Sequence, residues 1–472
     1  MKRKSLLPFI VLLLPSCTEL PTETREATPA FSVGQGLGGA IDGQYLVAFQ
    51  GGLAPLNEEV NALGGAVVYA HARVGFAVVA GLTEEAAAQL KLKPTVRQIA
   101  LDDETLLDEP GDLTVEAADP SVASAEAPQT SFFFARQWHL RAIGADQAWA
   151  AGRLGSPSVK VAILDTGLGY THADLAGRVD LANSVSFVAS DDALVQANFP
   201  GAHPVADLHY HGTHVGATVA SNALAAAGVT SGVTLIGVKV CRVINLGTPQ
   251  VNATCPTSSV LAGILHAADV GAHVANMSLG GTFNRRDASG GPNPSFIAII
   301  NTVFNYAKQK NLTMVVAAGN AAIDLDHNGN QYAAYCDAPH VICVSATGPT
   351  ASGGVNGPWT DVDALAGYSN YGRAAVAVAA PGGTSPGLIW EACSTFSLVV
   401  AVCQTGTFIV GIGGTSMASP HTAGVAALIA EDVGRSPSKI RAKLLKTADD
   451  LGQPGTDPFY GAGRINALRA IQ

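Results

Sequence analysis

Three residues of the types needed for nucleophilic acyl transfer sit in short, distinctive settings. They are Asp165 in Ile163-Leu164-Asp165-Thr166-Gly167, His211 in His211-Gly212-Thr213-His214, and Ser416 in Gly414-Thr415-Ser416-Met417-Ala418-Ser419-Pro420-His421. A serine hydroxyl is a weak nucleophile. It attacks a carbonyl carbon when a neutral imidazole removes its proton, and the imidazole in turn needs a carboxylate to fix its tautomer and stabilise the imidazolium that forms. Gly413-Gly414 suggests a sharp turn before Ser416, and the apolar stretch 418–430 suggests a helix that would mount the nucleophile rigidly.

Two other patterns imitate different chemistry. His209-x-His211-x-x-His214 has metal-ligand spacing, but the zinc signature it approaches requires Asp where Thr213 stands, and it leaves Asp165 and Ser416 without a role. His214 therefore reads as a structural helix residue and His209 as a loop residue. Gly383-Thr384-Ser385-Pro386-Gly387 satisfies G-x-S-x-G, yet the residue after that serine must donate a backbone N–H and Pro386 has none. Ser385 reads as part of a turn.

The candidate residues require a scaffold. Strands are predicted near 159–164, 233–240, 274–279, 313–318, 341–346 and 376–379, with helices such as 258–270 and 295–309 between them. Continuous apolar strands alternating with helices mean a doubly wound, mostly parallel α/β sheet covered on both faces, with the site beyond the strands' carboxyl ends. Asp165 and Asn320 each fall just after such a strand. Ahead of it, 44–101 reads as strand 45–49, helix 53–63, strands 66–69 and 76–79, helix 83–92 and strand 96–101, a ferredoxin-like βαββαβ order.

On these motifs residues 137–472 resemble a subtilisin-like serine protease (subtilase), and 44–101 resemble the propeptide that precedes one. The Ser416 segment matches the family pattern in full. Departures are Ala173 after His172, where Pro is more usual, and Gly216-Ala217 in reversed order. The resemblance implies that Ser416 attacks, His211 carries the proton and Asp165 orients it. It implies that the Asn320 amide donates to the oxyanion, and that Ser278, Leu279, Gly280 and Gly281 line the primary pocket and pair with substrate. The small glycines there suggest an apolar or aromatic preference. The implied enzyme needs no catalytic cofactor and acts on proteins or peptides, with its own propeptide as inhibitor. Members often bind structural calcium. Asp324-x-Asp326-x-Asn328-Gly329 resembles the start of a calcium loop, with Tyr335 where an EF-hand has Glu, and a polar turn explains it equally well. A surface-anchored binding lipoprotein without turnover is the alternative from another class, and an intact catalytic set argues against it.

Composition agrees. The chain has 472 residues, 48% apolar and 14% charged, and a net charge of −10. Residues 1–136 carry −8 of that charge, and between Gln98 and Ala135 nine acids occur without a base. Residues 102–136 are therefore expected to be a solvated acidic linker. No basic face suggests nucleic acid. Lys2-Arg3-Lys4 followed by the apolar run 6–14 reads as an export signal over 1–17, and Leu14-Pro15-Ser16-Cys17 resembles a lipobox whose Cys17 would be lipidated and attach the protein to a membrane. The protein is thus expected outside the cytoplasm, extracellular or in the cell envelope. Six further cysteines fall into neighbouring pairs, 241/255, 336/343 and 393/403, which suggests three disulfides closing short loops.

Overall fold

In strand β1 (Gly39–Phe49) Tyr45, Val47 and Phe49 point one way and Leu46 and Ala48 the other, as the period of two requires. The chain continues through α1 (Leu53–Ala62), β2 (Ala66–His71), β3 (Phe76–Ala80), α2 (Glu84–Lys91) and β4 (Val96–Leu107). The strands pair antiparallel in the order β2-β3-β1-β4. Tyr45, Val47 and Phe49 pack with Leu56 and Val60 of α1 and Leu90 of α2, while Leu46 and Ala48 face the rest of the molecule. The Thr83 side chain accepts from Ala86 N at the start of α2. The structure is a computed structural model that describes residues 39–107, 111, 113–119, 123–246, 253–285 and 294–472. The expected export signal and Cys17 lie outside the described residues.

Strand β5 (Thr114–Ala117) and helices α3 (Trp138–Ala142) and α4 (Ala145–Ala150) lead into the second unit. There β6 (Lys160–Asp165), β7 (Val185–Ser186), α5 (Ala189–Asn198), α6 (His211–Val219), β8 (Thr234–Lys239), β9 (Arg242–Val243), β10 (Ala253–Pro256), α7 (Thr257–Asp269), β11 (Val274–Met277) and β12 (Gly281–Asn284) follow. Then come α8 (Pro294–Gln309), β13 (Thr313–Ala317), β14 (Gln331–Ala334), β15 (Val341–Thr347), the short pair β16 (Ala351–Ser352) and β17 (Trp359–Thr360), β18 (Val378–Pro381), β19 (Ile389–Ala392), β20 (Phe408–Ile412), α9 (Thr415–Val433), α10 (Pro437–Thr447) and α11 (Ala467–Ala470).

Seven strands form one sheet in the order β18-β15-β13-β11-β6-β8-β7, parallel throughout. Alternate residues serve two faces: Val161 and Ile163 of β6 join α6 and α9, and Ala162 and Leu164 join α7 and α8. The chain moves to one side of β6 for β7 and β8 and to the other for β11 onward. This reversal opens a crevice at the carboxyl end of β6, where Asp165 lies.

The described residues within 102–136 depart from the expected solvated linker. Residues 102–107 prolong β4, which pairs antiparallel with β10 from Glu104 opposite Pro256 to Leu107 opposite Ala253. β5 pairs with β20, Phe133 is buried, and Phe132 N and Phe133 N donate to Leu224 O and Ala225 O. The expectation weighed side chains alone. An open sheet edge supplies backbone partners to a charged segment without burying most of its side chains. Asp102 is buried because it does what α7 cannot do for itself: the helix has no side-chain cap of its own, and Asp102 Oδ1 accepts from Ser258 N at 3.1 Å.

Candidate active site

Asp165 ends β6 and is fully buried. Its Oδ1 accepts from Thr166 N at 2.8 Å and lies 2.8 Å from His211 Nδ1. A carboxylate only accepts, so Nδ1 carries the hydrogen and Nε2 is left as the basic nitrogen. His211 opens α6, and the next residue shows why glycine follows: a Cβ on Gly212 would come within 2.2 Å of Gly167 O.

Asp207 was not singled out in the sequence, yet it ties both motifs together. Oδ1 accepts from Thr166 Oγ1 at 2.8 Å and His209 N at 2.9 Å, and Oδ2 accepts from Thr213 N at 2.9 Å and Thr213 Oγ1 at 2.6 Å. Thr166 Oγ1 also accepts from Gly212 N at 2.9 Å. The neighbours of Asp165 and His211 thus converge on one buried carboxylate. Lys239, buried 3.9 Å from Asp191, supplies positive charge, though burial pulls its ammonium down.

Ser416 lies in the first turn of α9, which begins earlier than the expected 418–430. Pro420 explains how its backbone is held. It has no N–H, so the Ser416 carbonyl lacks the usual helical donor four residues on, and Ser278 Oγ supplies one at 2.6 Å. In return Ser416 Oγ donates to Ser278 O at 3.2 Å. Asn276 Nδ2 donates to Ser278 Oγ and accepts Ser419 Oγ through Oδ1, closing the network from β11 to α9. The expected turn at Gly413-Gly414 is different: Gly414 is extended, with φ 165°. What Gly413 permits is close passage of backbone, since its Cβ would lie 3.2 Å from Gly383 O.

Asn320 Oδ1 accepts from Thr415 N at 2.9 Å and Thr415 Oγ1 at 2.7 Å, which fixes the amide with its oxygen toward Thr415 and its donor nitrogen at the opposite end. In the expected pocket segment, Ser278 is engaged with Ser416, Leu279 is buried, and Gly281 pairs with Ala334 in the β12–β14 ladder. Gly280 is small because a Cβ would meet Ala334 O at 2.3 Å. The strand edges on β10 and on β20, the latter running into α9, gave no sequence signal because backbone pairing has no required residue types.

His139, His214 and His421 are buried and held by hydrogen bonds. His421 Nδ1 donates to Met417 O at 2.7 Å, so its Nε2 is the acceptor for His139 Nδ1–H at 2.7 Å. Burial pushes His421 down to about 4. His214 Nε2 lies 3.1 Å from Ile389 O and is likewise held down, to about 3, by burial. Ser385 lies in a turn closed by Thr384 and Gly387. The three cysteine pairs are disulfides: Cys241–Cys255, Cys336–Cys343 and Cys393–Cys403. In the 324–329 loop Asp324 takes His327 and Asp326 N, while Asp326 takes Ala374 N. These bonds make the loop a hydrogen-bonded polar turn.

A parallel α/β sheet presenting Asp, His and Ser at its crevice defines the class as a serine hydrolase. The description "Subtilase family" matches residues 156–463, and the chain belongs to that family. Thermitase from Thermoactinomyces vulgaris is 33% identical over 73% of this chain and 99% of its own. Subtilisin Savinase from Lederbergia lenta is 30% identical over 71% of this chain and 98% of its own. Among solved structures, the epidermin leader peptide processing serine protease from Staphylococcus aureus superposes with a TM-score of 0.68 at 21% identity, covering 91% of this chain and 97% of that one. Fervidolysin from Fervidobacterium pennivorans gives 0.66 at 24% identity, covering 92% and 61%. These structures share the subtilisin-like fold. The activity is that of a serine endopeptidase, a hydrolase acting on proteins or peptides, and subtilases need no catalytic cofactor.

Proposed function

We propose that the chain is the precursor of an exported endopeptidase that cleaves peptide bonds through an acyl-enzyme on Ser416. The buried 2.8 Å contact between His211 Nδ1 and Asp165 Oδ1 carries this reading. It leaves His211 Nε2 to take the Ser416 proton as Oγ attacks the carbonyl, and to return it to the leaving amine. Asp165 stabilises the imidazolium between the two steps. Asn320, oriented by Thr415, and the Ser416 backbone N–H donate to the oxyanion, and water then releases the acyl group. Ser416→Ala should abolish casein hydrolysis and leave the precursor uncut, and normal turnover by that variant would refute the assignment. Chemical labelling of the wild-type serine by a sulfonyl fluoride gives a second readout.

Residues 39–107 are proposed as the inhibitory propeptide. Its sheet packs on α7 and α8 through Leu46, Ala48, Phe76 and Val78. Asp102 caps α7, His71 meets Asp269 at 2.9 Å, and Arg242 holds Glu104 at 3.0 and 2.8 Å. Leu107 is paired to β10 and Thr114 to β20, which leads into Ser416. Self-cleavage is proposed to fall in the stretch that joins these two pairings, between Leu107 and Leu113. Amino-terminal sequencing of the mature protein checks this. Export through 1–17, with or without a lipid on Cys17, rests on the sequence pattern. Among the described residues no helix is long and apolar enough to cross a membrane.

A further inference from the structure

β20 offers an edge that leads directly to Ser416, and β5 fills it. Gly411 lies opposite Thr114, Val410 opposite Val115, Ile409 opposite Glu116 and Phe408 opposite Ala117, and Ala118 N extends the ladder to Thr407 O at 2.8 Å. The side chains of this strand are sorted by face. Leu113 and Val115 pack on Tyr210, Val400, Phe408 and the Cys393–Cys403 disulfide. On the other face Ala118 packs with Ile409 and Trp390, and Glu116 pairs at 2.8 Å with Arg136, whose guanidinium lies over the rings of Phe133 and Trp390. Tyr210 directly precedes His211, so the apolar patch adjoins the site.

We propose that the β20 edge is a peptide-accepting site on the leaving-group side of Ser416, filled in the precursor by residues 113–118. In the mature enzyme it would take the substrate chain beyond the scissile bond, with apolar residues favoured at alternate positions. The proposal rests on the precursor reading above and extends it. A cut between Leu107 and Leu113 separates residues 39–107 from the enzyme, but β5 stays covalently joined to Gln137. That residue is buried, with Oε1 accepting Ala227 N at 2.9 Å and Nε2 donating to Ala227 O at 2.9 Å. A tethered strand has a high effective concentration at its own edge. After the first cut, β5 therefore remains as a competitor on the leaving-group side alone.

Two substrates separate the sides of the site. A peptidyl p-nitroanilide has no residue beyond the scissile bond, whereas an internally quenched peptide with six residues there needs the β20 edge. In the self-processed full chain, Val115→Pro, which cannot sit inside a paired strand, should raise kcat/KM for the quenched peptide by about tenfold and leave the nitroanilide rate unchanged. Leu113→Glu combined with Val115→Glu keeps the backbone and removes the apolar contact, and should act in the same direction. In either variant, quenched peptides with Leu at alternate leaving-side positions should be cut faster than those with Glu. Equal effects on both substrates, or none, overturn the proposal. Amino-terminal sequencing reads the precursor cut independently. A mature chain beginning between 108 and 113 with inert β5 variants removes this proposal alone, whereas an uncut chain or another junction overturns both.

Discussion

Asp207 joins the Asp165 and His211 motifs by three of the four hydrogen bonds its carboxylate accepts, and its amide counterpart could accept through only one oxygen. In Asp207→Asn the amide nitrogen would face donors, either Thr213 N and Oγ1 or Thr166 Oγ1 and His209 N. Leaving such groups unpaired costs about 1–3 kcal/mol. The larger effect should be on geometry, because Thr166 and Thr213 flank Asp165 and His211, and a displacement of order 1 Å in a catalytic constellation can cost about 10²-fold. The variant should lose roughly 10- to 100-fold in kcat with little change in KM. Steady-state kinetics on a p-nitroanilide checks this, and a loss confined to KM would contradict it. Nothing in the sequence marked Asp207, since its partners are spread over the bend after β6, its own loop and the first turn of α6. The three motif residues were legible because their requirements are local: Gly212 must pass Gly167, Pro420 must free the Ser416 carbonyl, and both constraints lie within the motifs.

Secondary-structure elements were legible where burial sets their pattern. The strand expected at 341–346 is Val341–Thr347 and the helix expected at 295–309 is Pro294–Gln309, because apolar faces mark both. The extension of β4 past Leu101 and the whole of β5 were not legible. Asp102, Asp103 and Glu104 have poor strand propensity and join a sheet through backbone pairing and a cap. The disulfides stiffen the edges these strands use: Cys241–Cys255 spans β9 and β10, and Cys393–Cys403 links the end of β19 to the turn before β20. Replacing Cys393 and Cys403 together by Ala should destabilise the protein by about 2–3 kcal/mol, the value for a short closed loop. It should also loosen the β20 edge, seen as faster amide exchange at 408–412. Unreduced peptide mapping should find all three bridges.

Across the whole molecule, the contact between residues 39–107 and the catalytic unit contains a titrating group at its centre. Asp102 is buried where residues 39–107 meet α7, between Ser258 N and Gln44 Nε2, and burial raises its carboxyl from an ordinary 3.8 to about 6 despite those donors. If residues 39–107 are cut and released as proposed, the same carboxyl returns to water and its ordinary range. A group whose value is higher in the complex than in the free state stabilises the complex fully below the free value, and that contribution is lost as pH rises through the bound value. The window therefore runs from about pH 4 to 6, and a shift of about two units weakens association on the order of 100-fold across it. The processed but unseparated complex should hold residues 39–107 at pH 5 and release them more readily at pH 7, which size-exclusion chromatography of freshly processed protein can follow. Asp102→Asn carries no titrating charge and should flatten that dependence while still capping α7. Retention that grows between pH 5 and 7 in the wild type, or a slope unchanged in Asp102→Asn, would show that release of residues 39–107 is governed elsewhere in the interface.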